Sequence, residues 1–129
     1  MPKPKPPELT RREAQIMEIL HRRGQATAAE VMAELPDPPG YSAVRKMLEI
    51  LEEKRLVRHS QDGPRYVYSP TTPPEQARRW ALQQLLHTYF ENSAEQAVAA
   101  LLELSGPKLS PAELDRIAEL AAKAKREGR

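Results

Sequence analysis

Apolar residues gather on one side of a helix in six stretches of the chain, five of them at the intervals i, i+3, i+4 and i+7 that line one helix face. The first stretch, over about Arg11 to Arg23, carries Ile16, Met17, Ile19 and Leu20; the second carries Ala28, Val31, Met32 and Leu35; the third, opening near Ser42, carries Val44, Met47, Leu48 and Leu51. The other three are marked by Leu82, Leu85, Leu86 and Tyr89, by Ala94, Ala97, Val98 and Leu101, and by Leu114, Ile117, Ala118 and Ala121. Between the third and fourth the pattern changes. Leu56-Val57-Arg58-His59 and Arg65-Tyr66-Val67-Tyr68 flank Gln61-Asp62-Gly63-Pro64, which predicts a β-hairpin. Tyr66 and Tyr68 fall on one face of it and read as packing residues.

Helix starts are written into the sequence as a hydroxyl residue followed three positions later by Glu or Gln, the reciprocal capping pattern. Thr10 with Glu13, Thr27 with Glu30, Thr72 with Glu75, Ser93 with Gln96 and Ser110 with Glu113 all fit. Pro73 and Pro111 directly follow their caps, where a missing N–H is harmless, and Gly24 is a natural C-terminal stop. Pro70 and Thr71-Thr72-Pro73-Pro74 close the hairpin and mark the main internal boundary. The expected class is mainly α: a disordered arm over 1–8, a winged helix-turn-helix over 9–70 and a three-helix module over 71–129.

Composition narrows the functions available. At 129 residues the chain holds one ordinary domain, or a small one plus a dimerisation module. It has no cysteine, which excludes disulfides, thiolate metal sites and a cysteine nucleophile. No apolar run approaches the roughly 20 residues of a membrane span, and Met1 to Pro7 lacks the apolar core of a secretory signal, so no membrane insertion and a cytoplasmic location are expected. His21, His59 and His87 have no metal-ligand spacing, and no nucleophile or phosphate loop stands out. An enzyme, a metal and a cofactor are therefore not expected.

The net charge of +2 is too mild to establish a polyanionic partner. Its distribution says more: residues 1–70 carry 12 Lys/Arg against 10 Asp/Glu, and residues 71–129 carry 8 against 8. Any such face is local and lies in the first half. Three short helices and a hairpin are the order in which a third helix enters the major groove and the hairpin reaches the backbone. With Val44, Met47, Leu48 and Leu51 inward, Ser42, Arg45, Lys46, Glu49, Ile50 and Glu53 lie on the outer face, cationic at its start and acidic at its end. Ser42 and the helix-start N–H groups suit a phosphate, the Arg45 fork suits a guanine and Lys46 a phosphate. Arg58, His59 and Arg65 place positive charge on the hairpin. Each basic residue taken singly is also explained as ordinary exposed charge.

Four segments carry a resemblance to a known family: Leu9-Thr10-Arg11-Arg12-Glu13 into Ile16-Met17-Glu18-Ile19-Leu20, Tyr41-Ser42-Ala43-Val44-Arg45-Lys46-Met47-Leu48, Leu51-Glu52-Glu53-Lys54-Arg55-Leu56-Val57, and Arg65-Tyr66-Val67-Tyr68-Ser69-Pro70. Over about residues 9–128 the chain resembles the BlaI/MecI/CopY transcriptional repressors. The resemblance implies a homodimer on a palindromic double-stranded DNA operator, with base and phosphate contacts on Ser42, Ala43, Arg45 and Lys46 and a wing contact on Arg65. Members often have Thr where Ala43 and Lys46 stand, Arg where Ile50 stands and Gly where Arg55 stands. A membrane metalloprotease sensor is a further partner that the resemblance implies. The Asn-Phe bond cut in β-lactam-responsive members aligns with Ala100-Leu101, which does not match it, and the cysteine-rich copper site has no counterpart.

Residues 71–129 are too few to bury a core alone, so pairing with a second copy is the economical arrangement. Leu82, Leu85, Leu86, Tyr89, Phe90, Val98, Leu101, Leu102, Leu114, Ile117 and Leu120 are expected at or behind that interface. The alternative is a small bundle packed on its own winged helix, and Trp80 suits either. A winged helix can also serve as a protein-interaction module without DNA binding.

Overall fold

The computed structural model describes residues 5–128. The first four positions of the expected 1–8 arm, Met1 to Pro4, lie outside the described residues; Lys5 to Glu8 form no regular element, and Leu9 packs against the core. Six α-helices and three strands follow: α1 (Arg11–Arg23), β1 (Ala26–Thr27), α2 (Ala28–Glu34), α3 (Tyr41–Glu53), β2 (Val57–Asp62), β3 (Arg65–Pro70), α4 (Pro74–Tyr89), α5 (Ala94–Ser105) and α6 (Pro111–Arg126). The chain forms two compact units, Met1–Ala81 and Leu82–Arg129, divided within α4.

In the first unit the helical stripes meet as their spacing requires. Ile16, Leu20, Val31, Val44, Leu48 and Leu51 are fully sealed, and Met17, Ile19, Ala28, Leu35, Val57 and Tyr68 close the core around them. Met32 and Met47 lie at its edge. Each sealed aliphatic side chain contributes about 1.5–3 kcal/mol relative to exposure.

The capping signals act as written. Thr10, Thr27 and Ser110 each accept the N–H of the Glu three residues on, and that Glu accepts the N–H of its cap. Ser93 accepts from Gln96 N–H. Gly24 ends α1 at φ +87°, its N–H returned to the Leu20 carbonyl at 2.8 Å. The third signal, Thr72 with Glu75, is displaced, since α4 starts at Pro74, with the Ala77 N–H on the Pro73 carbonyl at 3.1 Å. A short 3₁₀ turn over Gly106–Lys108 precedes α6.

The sheet has order β1-β3-β2, antiparallel throughout. The hairpin is tighter than its sequence suggests. Asp62 pairs with Arg65, leaving a two-residue loop of Gly63 and Pro64. Gly63 holds φ +63°, which only glycine adopts without cost, and Pro64 fixes a negative φ after it, the pattern of a type II′ turn. The two-residue β1 pairs Ala26 with Tyr68 and Thr27 with Val67, and so carries the chain from α1 onto the sheet.

Residues 12 and 13 bind α1 to both flanks of α3. The Arg12 guanidinium donates to the Pro36 carbonyl at 2.6 Å and to the Asp37 carbonyl, in the loop that leads into α3. The buried Glu13 carboxylate accepts the Thr10 N–H at 2.9 Å and the Lys54 ammonium at 3.0 and 3.1 Å, just past the end of α3. The Thr10 N–H, and then Lys54, hold the Glu13 carboxyl below its ordinary value of 4.5 against the opposing effect of burial.

After Lys54 the helix ends in a Schellman motif, with the Leu56 N–H on the Leu51 carbonyl at 3.0 Å and the Arg55 N–H on the Glu52 carbonyl at 2.9 Å. The residue at its left-handed position is Arg55, at φ +63°. A side chain there is strained, so Arg55→Gly should raise stability by about 1 kcal/mol, read as a higher urea midpoint with unchanged slope. Glu13→Gln should cost about 1–3 kcal/mol at neutral pH. A carboxyl with a lowered folded value stabilises above its unfolded value and loses that contribution as pH falls through the folded one. The gap between wild type and Glu13→Gln should therefore narrow in urea titrations as the pH falls below the ordinary carboxyl value of 4.5.

Candidate nucleic-acid interface

With Val44, Leu48 and Leu51 turned inward, α3 presents Ser42, Ala43, Arg45, Lys46 and Glu49 to solvent. It starts on Gly40 without a side-chain cap, and the first N–H groups of a helix have no partner within it. Arg45 forms no salt bridge with a described residue. Lys46 is 3.7 Å from Glu49 and Arg65 is 3.9 Å from Asp62, both loose and exposed pairs. Other cations of the unit are tightly held: Arg22 by Glu34, Arg23 by Glu30 and Glu34 at 2.8 and 2.7 Å, and Lys54 by Glu13. The free and loosely held cations thus include those on α3 and at the hairpin tip.

Arg45 and Arg65, 20 positions apart in sequence, line one cleft of about 440 Å³ between the start of α2, the outer face of α3 and the hairpin. Ser42, Ala43 and Lys46 stand outside its lining. Thr27, Glu30, Tyr41, Gln61, Tyr66 and Tyr68 complete most of its wall. The Glu30 carboxyl is held below its ordinary range, chiefly by the Thr27 N–H at 2.8 Å and further by Arg23 and Arg65. Burial pushes the Tyr68 phenol up, so it stays protonated at neutral pH.

The two tyrosines do not share one environment. Tyr68 is buried at 3% exposure beside Ala26, whereas Tyr66 is 40% exposed because β3 starts at the hairpin tip, beyond the core, and reaches the core only further along. Tyr66 stacks on His59, with centroids 4.4 Å apart and planes at 18°. His59 Nδ1 lies 2.7 and 2.8 Å from the two oxygens of Glu52 on α3. This chain fastens the hairpin to the helix. Periodicity could not have paired Glu52 with His59, and Tyr41, which is 48% exposed at the cleft, sits at a helix start where no apolar stripe marks it.

The second unit has a different character. None of α4, α5 and α6 contains a buried residue. Leu82, Leu85, Tyr89, Val98, Leu101, Leu102, Leu114 and Leu120 are all exposed, Tyr89 at 74%, and Leu86, Phe90 and Ile117 are half-buried. Leu104, at 77%, joins them. An apolar groove on α6 is lined by Leu109, Ile117 and Leu120 among longer charged side chains. Among the described residues no group of three or more His, Cys, Asp or Glu is placed to hold a metal, and no helix is long and apolar enough to cross a membrane.

The family model for the penicillinase repressor matches residues 9–123. The chain belongs to the penicillinase repressor family. Membership of this family makes it a DNA-binding repressor of transcription built on a winged helix. No curated protein matches it. Among solved structures it is similar to the one described as the complex structure of hsRosR, at 18% identity over 80% of this chain and 94% of that one, with a TM-score of 0.59. YusO from Bacillus subtilis is similar at 18% identity over 92% of this chain and 75% of that one, with a TM-score of 0.52. A ZitR mutant from Lactococcus lactis follows at 22% identity over 100% and 82%, with a TM-score of 0.50. At these identities the likeness concerns the fold alone.

Proposed function

We propose that this penicillinase repressor family member is a cytoplasmic homodimer that binds a palindromic operator through α3 and the β2–β3 wing. The observation that carries the reading is that Arg45 and Arg65, from separate elements, line one cleft while Arg22, Arg23 and Lys54 are spent on internal pairs. Arg45, with its bidentate fork and no salt bridge to a described residue, reads a base edge. Lys46 and Arg65 contact phosphates, with their loose partners Glu49 and Asp62 readily exchanged for a backbone oxygen. Ser42, Ala43 and the helix-start N–H groups approach a further phosphate.

The proposed domains are a winged helix over 9–70 and a dimerisation module over 71–129. The support for pairing is that three amphipathic helices bury nothing by themselves, an arrangement that a second copy relieves. The apolar positions from Leu82 to Leu120 supply the interface. A membrane metalloprotease partner finds weak support in the chain itself: Ala100 and Leu101 lie inside α5, where a protease must first unwind the helix. The alternative of a protein-interaction module predicts no salt-sensitive affinity for DNA.

Arg45→Ala should cost about 1–3 kcal/mol of operator affinity and relax preference at one position per half-site. Lys46→Ala should weaken all sequences alike and reduce the salt slope by about 1 per protomer. Fluorescence anisotropy on the chain's own upstream DNA measures both, and equal affinity in wild type and the Arg45→Ala/Arg65→Ala double mutant would overturn the assignment. Sedimentation at micromolar concentration should give a dimer mass, and a monomer would contradict the proposed pairing.

A further inference from the structure

The cleft beside α3 contains a group that contact with a duplex does not explain. Tyr68 is 3% exposed, yet its hydroxyl makes no hydrogen bond to a described residue. Among the described residues no fully sealed side-chain polar atom lacks a partner, so this hydroxyl opens on the cleft that Tyr68 lines. A ring needed only for packing would lose nothing as phenylalanine, whereas an unpartnered phenol is a donor waiting for an acceptor.

The other polar groups of the cleft complete a set of donors. Arg45 forms no salt bridge with a described residue, and Arg65 has only the exposed pair with Asp62 at 3.9 Å. Two guanidiniums and a neutral phenol suit an oxyanion. The one carboxylate in the lining, Glu30, is held by the Thr27 N–H and by Arg23 and faces Arg65, while Asp62 beside Arg65 and Glu49 and Glu52 near Tyr68 lie outside the lining. With those carboxylates close by, the two guanidiniums suit a ligand with one negative charge rather than several. The rest of the wall sets Ala28, Ala29, Pro64 and the rings of Tyr41 and Tyr66, the latter fixed by its stack on His59, beside the polar Thr27 and Gln61. The volume of about 440 Å³ falls in the range of small-molecule sites.

We propose that this cleft binds a small aromatic carboxylate, its carboxylate on Arg45, Arg65 and the Tyr68 hydroxyl and its ring against Tyr41 and Tyr66. The ligand takes the two arginines assigned to the operator, so ligand and duplex exclude one another and the ligand acts as a direct inducer. The exclusion rests on the DNA-binding reading above; binding of the ligand does not.

The test is titration of the full chain with benzoate, followed by NMR shifts of the arginine and tyrosine side chains, with acetate and benzyl alcohol as probes lacking the ring or the charge. Benzoate should bind saturably and at least about tenfold more tightly than either control. Tyr68→Phe, which removes only an unpartnered oxygen, should weaken benzoate about tenfold while leaving duplex affinity unchanged. Arg65→Ala, at an exposed position that the core does not need, should weaken benzoate as well. Benzoate binding no better than acetate or benzyl alcohol, or equally well to Tyr68→Phe, would overturn the site. In a second arm, saturating benzoate should release fluorescent operator duplex from wild type, and coexistence of the two on one protomer would overturn the exclusion. Failure of the duplex to bind without benzoate would instead strike at the DNA-binding reading, and the titration would still decide the ligand site.

Discussion

Everything that places α3 depends on what two adjacent side chains of α1 hold. Arg12 takes the carbonyls of the loop before α3, and Glu13 takes the ammonium just after it. Glu13 is also the capping partner of Thr10, so the group that starts α1 is the one that fixes the far end of α3. A buried carboxylate is costly unless it is paired and hydrogen-bonded, and here every contact that compensates its burial is a geometric restraint. The sealed aliphatic seam of Ile16, Leu20, Leu48 and Leu51 holds the helices together without specifying direction. The polar contacts at its two ends choose the register.

The two units meet the burial requirement by different means. The first closes a small core with a three-stranded sheet as its lid; the second leaves its leucines in water. Such helices gain most of their stability from tertiary partners rather than from propensity. Under the proposed pairing, the stability of the second unit would depend on protein concentration, as it does in obligate dimers. The first unit, with a core of its own, would not share that dependence.

Much of the fold was legible because local rules and global packing agree. Capping residues located four of the helix starts closely, and the 3.6-residue stripes named the sealed positions of α1, α2 and α3. The features missed share a cause. β1 has two residues and no alternation to detect; the grip of Arg12 on Pro36 and of His59 on Glu52 joins positions that no period relates. Tyr66 and Tyr68 occupy one face of one strand, but only the position of the core decides that one is sealed and the other stacks in solvent. For the candidate site, residue types and helix faces were readable from spacing, whereas the meeting of Arg45 with Arg65 and the idle Tyr68 hydroxyl required the third dimension. Arg55 shows the converse. The resemblance marked it as departing from glycine, and the structure gives the reason that the departure matters, a left-handed backbone at a helix stop.

The internal ion pairs also govern what a distant polyanion experiences. Arg22 and Arg23 face Glu30 and Glu34 at contact distance, so from farther than a Debye length of about 8 Å they present almost no net field. Arg45 makes no salt bridge with a described residue, and the partners of Lys46 and Arg65 sit farther off, so their field reaches into solution. The first unit, whose residues 1–70 carry a net charge of only +2, thereby presents a local field to an approaching duplex. The internal pairing of charges on α1 and α2 leaves the cations of α3 and the hairpin tip to set the direction of that field before any contact forms.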